Sequence, residues 1–153
     1  MEETTTEFLE PIRPTARAVI RKGCYILVQL KQKTGQGEYL TLPGGRQDPG
    51  ETLPECVRRE CAEEVGTAVS VGRLLHVAEV YKQRQQGLRH QLEFLFECTV
   101  PDDYEPILGP HPDPSQRDTI WADLITDAHR FRPAYAGLLS DPSSPRYLGV
   151  LDG

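Results

Sequence analysis

Residues 45–67 read GRQDPGETLPECVRRECAEEVGT, and the rest of the chain is best read outward from them. Thr52-Leu53-Pro54-Glu55 has the spacing of a capping box, with Thr52 as N-cap and Glu55 three residues on. Pro54 falls in the first turn, where a missing N–H costs no intrahelical bond. The spacing predicts a helix over 53–65, stopped by Gly66. At about 100° per residue from Leu53, Val57, Cys61 and Val65 follow at about 40°, 80° and 120° and form one apolar stripe. Glu63, Glu60 and Glu64 fall at about 280°, 340° and 20°, so three carboxylates crowd an arc of about 100° that overlaps the edge of the stripe. Glutamates three and four apart on a helix are neighbours and repel. A Glu run is ordinarily a solvated face, but carboxylate oxygens also suit hard divalent cations. Arg59, at about 240°, lies beside Glu63 and is placed to orient carboxylates. The loop 44–50 runs straight into the helix, and Gly44 and Gly45 let the backbone approach an ion or a phosphate closely.

This segment resembles the Nudix box, G-x5-E-x7-R-E-U-x-E-E-x-G-U with U aliphatic. Gly45, Glu51, Arg59, Glu60, Glu63, Glu64 and Gly66 all fall in place. Cys61 and Thr67 depart from the aliphatic positions; both concern packing. The resemblance implies a Nudix α/β/α sandwich with a mixed sheet, in the α/β class. It implies that Glu60, Glu63 and Glu64 bind Mg²⁺ or Mn²⁺, with the carbonyl of Gly44 as a further ligand. It implies that Glu51 and Arg59 pair and hold the loop–helix geometry. A metal bridging phosphate oxygens neutralises charge in the transition state, and a carboxylate such as Glu60 or Glu64 takes a proton from the attacking water.

Upstream of the box, residues 1–15 are polar, carry Pro11 and Pro14, and are expected to form a loose lead-in to one domain over 16–153. β-rich runs over 16–31 and 39–42 follow, broken by turns at 21–23 and 33–37. Downstream, 69–82 and 91–100 predict two long strands. Pro101 to Asp118 holds five prolines and predicts a long loop, a candidate substrate wall. A short strand at 119–121, helices at 123–130 and 131–139, and a Pro/Ser-rich tail complete the expectation. Strands and helices in this order suit a mixed sheet with helices on its faces.

The chain has 153 residues and a formal net charge of −6, with a sequence pI of about 5.2. That balance argues against a non-specific grip on nucleic acid, which needs an excess of Lys and Arg. Cys24, Cys56, Cys61 and Cys98 form no C-x-x-C pair, so four reduced thiols are expected. The acidic N-terminus has no signal-peptide pattern, and no apolar run approaches the ~20 residues that span a bilayer. A cytoplasmic protein with no membrane partner is expected, and a homodimer is compatible with the sequence.

Substrate contacts are expected outside the box. Arg84, Arg89 and His90 flank the turn between the two long strands. Arg13 and Arg17 flank the first strand, and Trp121 is a candidate base-stacking platform. The expected activity is hydrolysis of the diphosphate linkage in a nucleoside diphosphate joined to another moiety, such as ADP-ribose or a nucleotide sugar. Clean-up of nucleoside triphosphates is the alternative within the class. A module that only binds ADP-ribose-like ligands is the alternative outside it, disfavoured by the intact set of box glutamates.

Overall fold

The computed structural model describes residues 7–35 and 37–153. Its elements are β1 (Phe8–Lys22), β2 (Tyr25–Gln32), β3 (Glu38–Thr41), β4 (Gly44–Arg46), α1 (Leu53–Glu64), β5 (Ser70–Arg84), β6 (Gly87–Thr99), β7 (Gln116–Asp123), α2 (Tyr135–Ser140) and β8 (Tyr147–Asp152). β1 and β6 run parallel, with Arg17 opposite Leu95 and Ala18 opposite Phe96. β5 is antiparallel to β6 and parallel to β8, and β4 adds to β1 antiparallel. β2 leaves β1 at a tight turn and pairs with β3 and β7. The sheet is therefore mixed.

Alternation along the strands sends apolar residues to both faces, as a sheet covered on both sides requires. Ala16, Ala18, Ile20, Phe96 and Cys98 face α1 and pack on Cys56, Val57, Cys61 and Val65. Val19, Ala78 and Leu95 face the other way, onto Tyr135, Ala136 and Leu139 of α2. This is an α/β/α sandwich with a mixed sheet, the architecture that the box resemblance implied. All four cysteines are free thiols, and only Cys24 is exposed. Among the described residues no helix is long and apolar enough to cross a membrane.

Three local expectations need correction. Strand β1 begins at Phe8, so residues 8–15 are not a loose lead-in; residues 1–6 lie outside the described residues. Pro11 and Pro14 are tolerated because β2 and β4 pair only with the later part of β1, leaving this half an edge, and the register to β6 breaks between Leu9 and Arg13. The expected helix at 123–130 shrinks to a 3-10 turn, Ala128–Arg130. There the Asp123 carboxylate accepts the N–H groups of Ile125 and Thr126 at 2.8 and 3.0 Å, a local bond that competes with helix formation. The second helix starts only at Tyr135, after Arg132 has donated its backbone N–H to Leu40 at 2.9 Å. The Pro/Ser-rich tail ends in strand β8.

The Pro-rich loop has a role that composition did not reveal. It closes the C-terminal end of α1, whose last carbonyls have no intrahelical partner. Gly109 and His111 donate backbone N–H groups to the carbonyls of Glu64 and Glu63, each at 2.9 Å. The Tyr104 hydroxyl donates to the Val65 carbonyl at 2.7 Å, and the Gln116 side-chain amide donates to that of Glu64 at 2.9 Å. The helix that carries the box glutamates is thus fixed at both ends, by the Thr52–Glu55 capping box and by this loop.

Candidate active site

The loop before α1 and the helix itself are drawn together by Arg59. Its Nε donates to Glu51 Oε2 at 2.7 Å and its Nη2 to Glu51 Oε1 at 3.1 Å, a two-pronged pair. Nη2 also reaches the carbonyl of Arg46 at 3.2 Å, so one guanidinium clamps the loop at two points. Nη1 turns to the helix, meeting Glu60 at 3.0 Å and Glu63 at 3.5 Å. The Glu51 bonds push the guanidinium pKa up, and Arg59 holds the Glu51 carboxyl below the usual carboxylate range.

Gly44 and Gly45 lie where side chains cannot. Gly44 has φ of +140°, and a Cβ there would sit 2.0 Å from the Ala16 carbonyl. A Cβ on Gly45 would come within 2.8 Å of the Glu60 carboxylate. The Gly44 N–H donates to Glu64 Oε1 at 3.2 Å, and the Gly44 carbonyl accepts from Arg17 Nη1 at 3.0 Å. Glu64 is only 4% exposed. Burial and the neighbouring Glu60 carboxyl push its pKa up to about 8. The fully buried side-chain amide of Gln29 leans on Glu64 yet lacks a hydrogen-bond partner of good geometry.

The three box glutamates do not converge. Among the described residues no set of three His, Cys, Asp or Glu side chains gathers in a metal-ligating arrangement. Glu60 and Glu64 are adjacent, whereas Glu63 lies outward, 37% exposed and turned to Arg59. The oxygen donors nonetheless fit a hard divalent cation. Two carboxyls crowd each other, and one is buried deeply enough to hold a proton that a cation would displace. An orphaned amide borders them, and a carbonyl-bearing loop with no side chains covers them.

Behind Gly44 lies a buried network that sequence reasoning missed. Arg17 Nε donates to Glu93 Oε2 at 3.1 Å. The same carboxylate accepts from Thr15 Oγ1 at 2.9 Å and from the Tyr135 hydroxyl at 2.7 Å. Burial opposes ionisation of Glu93, but Arg17 and Tyr135 outweigh it and hold its pKa down. Arg17 itself stays charged because Glu93 and Glu64 overcome its desolvation. The signal was available: Glu93 interrupts the apolar run of residues 92–96 in β6, on the same alternating positions as Arg89 and Gln91.

The other expected substrate residues scatter. Arg84 lines a cleft of about 880 Å³ together with Lys31, Thr41, Lys82 and Ser115. Arg17 points inward to Glu93 and to the Leu42 and Gly44 carbonyls. Arg89 is buried and donates to the Pro11 carbonyl at 2.8 Å, because β1 runs alongside it. His90 pairs with Glu79 at 2.8 Å and packs edge-on to Tyr81, on the opposite face of the sheet from Arg89. Trp121 packs on the α1 side of the core with Lys22 over its ring, away from the cleft. Arg13 feels the charge of Arg89, Arg46 and Arg84 and has no carboxylate partner among the described residues.

Comparison with known proteins agrees with this geometry. The NUDIX domain model matches residues 11–134, most of the chain. The chain belongs to the Nudix family. It is 41% identical over 58 residues to the NAD-capped RNA hydrolase NudC of Chromobacterium violaceum. That match covers 38% of this chain and 22% of NudC, so it spans about a fifth of that relative. A NUDIX hydrolase from Nitrosomonas europaea superposes with a TM-score of 0.65 at 22% identity, covering 80% of this chain and 81% of that one. A MutT NUDIX hydrolase from Burkholderia pseudomallei gives 0.60 at 25% identity, covering 75% and 85%. The glycine, glutamate and arginine positions of the Nudix box are all present in the chain.

Proposed function

We propose that this Nudix protein is a Mg²⁺- or Mn²⁺-dependent hydrolase of the diphosphate linkage in a nucleoside diphosphate joined to a second moiety, such as ADP-ribose or a nucleotide sugar. The observation that carries this reading is the apposed Glu60 and Glu64 pair under Gly44 and Gly45, near a cleft sized for a small nucleotide whose Lys31 feels the Glu64 charge. Glu60, Glu64 and the Gly44 carbonyl are the residues that would hold the cation, with Glu63, beside Arg59, as a further carboxylate donor. When bound, the cation supplies charge neutralisation on the phosphates and a more acidic water. The chain supplies the rest. Arg59 and Glu51 fix the loop against the helix, and Arg17 fixes the Gly44 carbonyl from behind. A box carboxylate accepts the proton of the attacking water. The acidic net charge of −6 favours small nucleotides over RNA as partners.

The test is turnover of ADP-ribose and nucleotide sugars by wild type, Glu60→Gln and Glu64→Gln under a Mg²⁺ titration. The reading expects losses of about 10²–10⁴ in rate with the fold retained. Wild-type rates in both variants at saturating Mg²⁺ would discard the site.

A further inference from the structure

The cleft beside the box is basic in an acidic protein. The chain carries a net charge of −6. Yet the cleft is lined by Lys31, Lys33, Lys82, Arg84 and Arg132, with only Glu38 and Asp113 opposing them among acidic side chains. Of these two, Glu38 pairs at 3.5 Å with Arg130, which does not line the cleft. Asp113 accepts from Ser115 at 2.6 Å and stands 4.0 Å from Lys31, a loose contact.

Two of the cations are not ordinary surface lysines. Lys31 comes from β2 and Lys82 from β5, so they project from two different parts of the sheet toward one space. The Lys31 side chain is 12% exposed. Lys82 forms no ion pair among the described residues. Burial and then Arg17 lower the pKa of both, and Lys31 adds to the effect on Lys82, whose pKa falls to about 8. Arg17 acts on both and also holds the Gly44 carbonyl, which sets the cleft next to the box. A second, independent sign is Thr41, another lining residue: it is 8% exposed and its hydroxyl has no hydrogen-bond partner. A buried hydroxyl without a partner and half-buried ammonium groups with only loose ones are costly unless something completes them.

We infer that an anion completes them, and that the substrate moiety beyond the cleaved linkage carries its own phosphate, gripped by Lys31 and Lys82 with the Thr41 hydroxyl. This rests on the hydrolase reading above and narrows it. A nucleotide sugar with a neutral sugar would leave Lys82 unmatched and Lys31 with only its loose contact to Asp113. A phosphorylated sugar or a longer phosphate chain would match them, and the two share the same chemistry at this point. Lys31 and Lys82 are then specificity residues, remote from the bond that breaks.

The experiment compares kcat/KM on three probes: ADP-ribose, ADP-ribose carrying a phosphate on its distal ribose, and adenosine 5′-tetraphosphate. Wild type, Lys31→Met and Lys82→Met are measured with Mg²⁺. Wild type is expected to prefer at least one phosphate-bearing probe over ADP-ribose by about tenfold or more, the worth of a charge-assisted contact. Which probe wins separates a phosphorylated sugar from a phosphate chain. In each variant that preference collapses by about tenfold. ADP-ribose turned over as well as both phosphate-bearing probes, or equal losses on all three in the variants, would overturn the inference. A second arm reads binding alone. Inorganic tripolyphosphate should raise the Tm of wild type more than that of either variant, and equal shifts would overturn the inference. No turnover of any probe would fault the hydrolase reading instead, and the binding arm would still decide the role of the cleft.

Discussion

Replacing Arg59 with Lys keeps the charge and removes the geometry, and the structure sets what that should cost. Arg59 presents Nε and Nη2 in one plane to both oxygens of Glu51, at 2.7 and 3.1 Å, while Nη2 also holds the Arg46 carbonyl at 3.2 Å. An ammonium is a point donor and cannot make these bonds together. The guanidinium is 30% exposed and Glu51 14%, so the pair is only partly screened by water. Losing the second prong and the carbonyl contact should remove about 1.4–2.7 kcal/mol of transition-state positioning, a factor of about 10–100 in kcat/KM. Glu51→Gln should lose a similar factor. The two act through one contact, so the double variant should lose far less than the product, with a coupling of about 1–2 kcal/mol. The assay is kcat/KM for wild type, both singles and the double at saturating Mg²⁺, with Tm as a check on folding. Fully multiplicative losses, or a silent Arg59→Lys, would refute the reasoning.

Two further outcomes follow from the same framework. Gly109→Ala would place a Cβ 2.1 Å from the Glu63 carbonyl, so the loop must lift from the end of α1; stability should fall by about 1–3 kcal/mol in chemical denaturation, and an unchanged midpoint would deny the loop its capping role. The Lys82 pKa, about 8, lies below the ordinary 10.5, chiefly through burial and then through Arg17, with Glu93 opposing and Lys31 and Arg84 adding repulsion. Below pH 8 the ammonium is charged in both the folded and unfolded states and its burial costs stability; between about 8 and 10.5 the folded state sheds the proton first and the cost fades. Lys82→Met should therefore melt higher than wild type at pH 7, by a margin that shrinks toward pH 10, whereas a constant margin would mean that Lys82 is not the titrating group.

What the sequence made legible was local. The α1 start at Thr52, its stop at Gly66, and the pairing of Arg59 with Glu51 all lie within 23 residues and follow from capping chemistry and helical spacing. What it hid was joined across distance. Arg17 and Glu93 are 76 residues apart, and Glu93 and Tyr135 are 42 apart; the parallel pairing of β1 with β6 joins the first two, and the packing of α2 on the sheet adds the third. Lys31 and Lys82 close the predicted strand runs 16–31 and 69–82, and nothing in a single strand tells which cleft it borders. Arg89 and His90, adjacent in sequence beside a turn, point to opposite faces of the sheet, so adjacency misled. The proline-rich stretch read as a loop by composition, and it is one, but its backbone donors serve the helix end.

The most direct test of the account is the product analysis of a metal titration. Purified protein, stripped of metal with chelator, is given ADP-ribose and its phosphorylated form, and products are resolved by mass spectrometry as Mg²⁺ is added back. The account predicts two phosphate monoesters from each cleaved molecule, appearing only with the cation and lost in Glu60→Gln/Glu64→Gln. Cleavage that persists in chelator or in the double variant, or no cleavage of either compound at any Mg²⁺ concentration, would contradict it.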